Sequence, residues 1–230
     1  SLGAAAGRER VVERLDDYAE GWRRRHAETC AATLRAEQST RQLDQRMRCL
    51  GRHRLALREA VDLVARGEVD AVDDALELVA RLPALSRCDA PESLDAQPAL
   101  PQDDALAERA ERLRVQLAHA RALLDAERGS RAAAELAHLM PRIEALGHDP
   151  LTAEALLLRG RAHLERDELA ASEADLLRAY TLAAELGYDD VAGRAARVLA
   201  SVVGYDAGRY EEGRRWAETA LALARRRGSG

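Results

Sequence analysis

Leu146-Gly147-His148-Asp149-Pro150 returns as Leu186-Gly187-Tyr188-Asp189-Asp190, the same order of residue types displaced by 40 positions. The same displacement lays Leu117-Ala118-His119-Ala120-Arg121-Ala122-Leu123-Leu124-Asp125 over Leu157-Leu158-Arg159-Gly160-Arg161-Ala162-His163-Leu164-Glu165, and Leu136 over Leu176. Self-similarity at such a period marks a stacked repeat. Gly147 and Gly187 read as left-handed stops after a helix, a conformation glycine adopts without a Cβ clash. Asp149 is expected to cap the next helix, with Pro150 in its first turn, where a missing N–H costs nothing. A third unit runs from Gly208-Arg209-Tyr210 through Trp216, Ala217, Ala220 and Leu221 to a stop at Gly228. Each unit is two helices that cannot bury their apolar sides alone, whereas stacked pairs can. Pro141 falls inside one of these helices and is expected to kink it.

Outward from the repeat, the pattern stops between Ser86 and Asp103, where Pro91, Pro98 and Pro101 sit among acidic and small residues. That composition predicts a flexible linker over 86–103. Before it, apolar residues recur every three or four positions from Arg8 to Glu37, through Val11, Leu15, Tyr18, Trp22, His26, Thr29 and Thr33. Ser39 and Gln42 then form a capping box opening a second helix, which carries Leu43, Met47, Leu50, Leu57, Val61 and Val64 and closes at Gly67. A shorter third helix carries Val69, Val72, Leu76 and Val79 up to Pro83. The domain organisation is therefore 1–85, a three-helix N-terminal element; 86–103, a Pro/Asp-rich linker; and 104–230, three helical pairs. The fold class is all-α.

Composition narrows the function. Hydrophobic residues make up 47% and charged residues 33% of the 230, which excludes a disordered chain. Every basic residue is arginine and phenylalanine is absent, a palette that favours helix over strand. A net charge of −5 argues against nucleic acid as partner, since phosphate neutralisation needs a basic surface. No apolar run approaches the roughly 20 residues that span a bilayer, so direct membrane insertion is not expected. The chain opens on Ser1, the start expected of a piece cut from something longer.

The helix pairs ending in Leu-Gly, the small residue Gly160 in a first helix and Gly208-Arg209-Tyr210 before a second resemble tetratricopeptide repeats, with a period near 40 instead of 34. Ser172 and Gly213 stand where those repeats usually have alanine. This resemblance implies an α-α superhelix. The first third carries a second resemblance. Leu15-Asp16-Asp17-Tyr18, Trp22, Thr29-Cys30-Ala31-Ala32-Thr33, Glu37-Gln38-Ser39, Leu43 to Leu50 and Leu82-Pro83-Ala84-Leu85-Ser86-Arg87-Cys88-Asp89 are similar to the segment preceding such repeats in bacterial Hanks-type serine/threonine protein kinases. The resemblance implies the non-catalytic C-terminal region of such a kinase, with a protein or peptide as partner. Its location would be cytoplasmic, or extracytoplasmic beyond a membrane helix. The alternative is a free-standing adaptor or ligand-sensing scaffold of the same fold.

No catalytic constellation accompanies it. Kinase chemistry needs a glycine-rich loop, a lysine and two aspartates at fixed stations, and the chain has no lysine; His53-Arg54-Leu55 is only an echo of a catalytic loop. No cofactor and no metal site are expected, His26 and Cys30 being read as a packed histidine beside a buried thiol. Cys30 and Cys49 fall at matching levels of a hairpin turning near Ser39. Two readings stand for them: a disulfide stapling that hairpin in an oxidising compartment, or two small thiols filling a helix interface. Arg23-Arg24-Arg25 and Arg225-Arg226-Arg227 are read as solvated faces. In a tetratricopeptide stack the first helices line the partner groove. Carried over from Gly160, that pattern places Leu157, Arg161, Leu164 and Glu165 there, then Leu117, Arg121, Leu124 and Asp125, and in the third unit Val198, Val202 and Tyr205. Arg121 and Arg161 either clamp a carboxylate or pair with Asp125 and Glu165 one turn away.

Overall fold

A computed structural model describes residues 2–69, 71–89, 101 and 103–226. Among them the chain is all-helical, without strands. It divides into two compact units, 1–95 and 96–230.

The first unit contains α1 (Leu2–Leu34), α2 (Thr40–Ala65), α3 (Val72–Ala80) and a 3-10 turn (Leu85–Cys88). The α1–α2 hairpin is closed by the residues the sequence singles out. Ser39 accepts from the Gln42 N–H, and Gln42 returns the bond to the Ser39 N–H. α1 ends three residues earlier than its pattern predicts, because Ala36 turns left-handed at φ 58° and Glu37 N–H donates back to the Ala32 carbonyl. Gly67 ends α2 in the same way.

Trp22 anchors the hairpin. Its indole N–H donates to the Leu50 carbonyl at 2.8 Å, and its ring packs against Cys49, Leu50 and Cys88. The Tyr18 hydroxyl donates to the Pro83 carbonyl at 2.8 Å. Burial pushes that phenol above its ordinary pKa. Asp89 receives Arg25 from α1 and Arg46 from α2. Residues 83–89 are therefore clamped across both long helices, so the first unit extends into the stretch expected to be linker. Pro91 and Pro98 lie outside the described residues.

The cysteine pairing also differs from the expectation. The disulfide joins Cys49 to Cys88, with Cα atoms 5.6 Å apart, and Cys30 is free and exposed. The reason lies in helical phase. On α1 the residues that turn inward at this level are Thr29 and Ala32, and Cys30 sits about 100° round from Thr29. Cys88, delivered by the 3-10 turn, reaches Cys49 instead.

The second unit alternates α4 (Asp104–Asp125), α5 (Gly129–Leu146), α6 (Asp149–Glu165), α7 (Leu169–Glu185), α8 (Asp189–Ser201) continued by a π turn (Val202–Asp206), and α9 (Tyr210–Arg226). Each helix packs on the next, and the first helices α4, α6 and α8 also touch in that order. Asp103 caps α4 by accepting from the Leu106 N–H at 2.7 Å. Gly147 and Gly187 occupy the left-handed region at φ 66° and 65°. The cap of α6 is His148 rather than Asp149, which is already helical, and α5 runs through Pro141 unbroken. Gly228 lies outside the described residues.

Within each pair the turn repeats too. Glu127 and Asp167, 40 apart, are left-handed at 58° and 61°, and the next residue donates back to Leu123 or His163. In the third pair the left-handed residue is Gly208, which is 41 positions after Asp167. The added residue is absorbed by the π turn, where Ala207 N–H reaches five residues back to Val202. Leu136 and Leu176, matched by the repeat, are both fully buried.

Candidate functional site

The groove expected from the repeat pattern separates into two sets of side chains. Leu117, Leu124, Leu157, Val198 and Val202 are buried in the helix-to-helix core, so no partner reaches them. Their apolar surface is already consumed by stacking. Glu165 packs over Gly129 at the start of α5, where an added Cβ would strike its side chain. Leu164 is half-buried, and Tyr205 is 81% exposed on the π turn.

The polar set converges. Asp125 on α4 accepts from Arg161 on α6 at 2.9 Å and lies 3.9 Å from Arg121, one turn before it. Arg194 on α8 faces the same group, with Asp190 3.9 Å away on its own helix. Three guanidiniums from three successive first helices thus share two carboxylates, a formal excess of one positive charge. Arg194 bears the strain of the arrangement. Burial, then the nearby Arg121 and Arg161 charges, push its pKa down to about 9, against the pull of Asp190 and Asp125. Its side chain still shows 20% of its surface, as does that of Arg161, and Arg121 shows 40%. An anion arriving here meets forked donors already positioned and only partly neutralised.

Arg194 was not legible from the repeat. A shift of 40 or 41 from Arg161 leads to Ser201 or Val202, whereas Arg194 lies about two helical turns earlier on α8. The Asp190–Arg194 spacing of i, i+4 was its only local signal.

A second cleft opens among α5, α6 and α7, lined by Met140, Glu144, Arg159, His163 and Asp175 among others. Its ionisable groups are engaged with one another. Arg159 forks onto Asp175 at 2.5 and 2.7 Å, and His163 Nδ1 lies 2.5 Å from Glu168. The bonds that Arg159 donates to Asp175 hold it above its ordinary pKa, and the bond from His163 holds Glu168 below the usual carboxylate range. This cluster ties α6 to α7 within one pair.

No helix among the described residues is long and apolar enough to cross a membrane. Compared with protein-family models, with curated proteins and with solved structures, the chain matches none.

Proposed function

We propose that this chain is the non-catalytic interaction region of a bacterial serine/threonine protein kinase, built on tetratricopeptide-like repeats, and that its second unit holds a partner segment bearing carboxylates. The attachment to a kinase is supported by the resemblance of residues 15–89, and the upstream gene sequence tests it. The binding role is supported by one observation above all: Arg121, Arg161 and Arg194 come from three consecutive first helices to one face, beside Asp125 and Asp190.

Labelled peptides rich in Asp and Glu, titrated against the chain by fluorescence anisotropy, test the reading. Charge-assisted hydrogen bonds contribute about 1.5–3 kcal/mol, so Arg161→Ala should weaken binding about tenfold or more. A lysine-free peptide of the same length with Gln and Asn in place of the acids should not bind. Equal affinity for both peptides would remove the proposed site.

A further inference from the structure

The disulfide of the first unit has a third partner. His53, one helical turn after Cys49 on α2, places Nδ1 3.8 Å from the Cys49 sulfur and 3.6 Å from the Cys88 sulfur. Among the described residues these are the three side chains brought together with the donor chemistry of a thiophilic metal. All are buried, at 5%, 7% and 1% exposure, against Trp22 and Met47. A tetrahedral zinc ion with bonds of about 2.3 Å to sulfur and about 2.0 Å to nitrogen sets its ligand atoms about 3.6 Å apart along each N···S edge. The histidine therefore already stands at ligand distance from both sulfurs. Its other nitrogen, Nε2, lies 3.2 Å from the Ala84 carbonyl oxygen. A metal-binding histidine characteristically donates its second N–H to such an acceptor, which fixes the tautomer. In the disulfide form Nδ1–H has its own acceptor, the Cys49 carbonyl at 2.9 Å. Either tautomer thus finds a backbone oxygen in place.

We propose that, once the Cys49–Cys88 disulfide is reduced, Cys49, His53 and Cys88 bind a Zn²⁺ ion that holds the Leu85–Cys88 turn against α2. The balance is simple. A dithiol gives two electrons and two protons, the S–S bond breaks, two thiols form, and the dithiol leaves as its own disulfide. Zn²⁺ then displaces both thiol protons to solvent, binds two thiolates and neutral Nδ1, and takes a water as fourth ligand. Met47 and Trp22 keep bulk solvent from the sulfurs. The same three residues thereby fasten the turn in an oxidising compartment by a covalent bond and in a reducing one by a metal.

The full chain, reduced with a phosphine that itself becomes the phosphine oxide and then freed of it, is titrated with Co²⁺ and with Zn²⁺. One equivalent of Co²⁺ should produce a thiolate-to-metal band in the near ultraviolet that Zn²⁺ erases, in wild type and in Cys30→Ser alike. The oxidised chain, folded and carrying the same histidine, should give no band. Cys88→Ser and His53→Gln should lose at least tenfold in affinity. Since either variant can unfold, alkylation of the reduced wild type gives an independent reading: Zn²⁺ should protect Cys49 and Cys88 and leave Cys30 reactive. Absence of the band, its loss in Cys30→Ser, its presence in the oxidised chain, undiminished affinity in the folded variants or equal protection of all three thiols would each overturn the proposal.

Discussion

Gly213 and Gly204 meet where α9 crosses the π turn, and a Cβ added at Gly213 would lie well inside 3.0 Å of the Gly204 backbone. Neither partner atom is a movable side chain, so the backbone itself must give way. Overpacking of this kind costs about 1–3 kcal/mol, and Gly213→Ala should lower the thermal midpoint accordingly in calorimetry. Ser172, at the matching place in the preceding pair, has its own reason: it is fully buried and donates to the Gly160 carbonyl at 2.8 Å. Arg194 presents the opposite balance. Its pKa is depressed to about 9, well below the ordinary guanidinium range, so the unfolded chain holds that proton more tightly than the folded one. The penalty is fully present below that value and is relieved as pH rises above it toward the ordinary guanidinium range. Burial and the neighbouring Arg121 and Arg161 charges oppose the charge on Arg194, so Arg194→Met should melt at or above the wild-type temperature at pH 7. It should at the same time bind the acidic peptide less well. A lowered melting temperature would mean that Asp190 and Asp125 already compensate the charge.

For the elements, the clearest test is the covalent tie between α2 and the 3-10 turn. It closes a separation of 39 residues, for which the chain-entropy account gives about 4 kcal/mol. Reduction in the presence of a chelator should therefore destabilise the first unit by that order in urea unfolding, while the second unit, which contains no cysteine, should be unmoved. That both units are helical was readable from apolar spacing, and the capping box at Ser39 and Gln42 and the stops at Gly67, Gly147 and Gly187 were readable from residue type. These are local signals, carried by residues within one turn of each other. The partner of Cys49 was not readable, because Cys88 lies among prolines and acids that resemble a linker, and long-range bonds to Asp89, Pro83 and Ala84 hold it in place. The third guanidinium was hidden for a related reason. Repeat alignment transfers positions, and the 40-residue shift lays Arg194 over Glu154 and Arg114, which pair with each other instead of facing Asp125.

Over the whole chain, helices packed neighbour on neighbour account for the buried leucine and alanine ladder of the second unit, with Leu136, Leu176, Ala179 and Ala183 all fully covered. Struts between pairs reinforce it. Arg114 on α4 reaches Glu154 on α6, whose carboxylate also accepts from the Tyr188 hydroxyl before α8. Within the last pair, Asp189 at the head of α8 is held by Arg226 in the last turn of α9. Within the groove expected from the pattern, a leucine that is good at stacking is for that reason not available for recognition, while Arg121, Asp125, Arg161, Leu164, Glu165 and Tyr205 keep surface to offer. The π turn carries a consequence for the evolution of this array. It takes up the one residue by which the third pair departs from the 40-residue period, and the tight Gly204–Gly213 crossing lies within it. Deleting one residue between 202 and 206 would bring the last pair back into phase with the other two, and in that shortened background alanine at 213 ought to be tolerated. The insertion and the glycine would then behave as a compensatory couple, each harmful to alter alone.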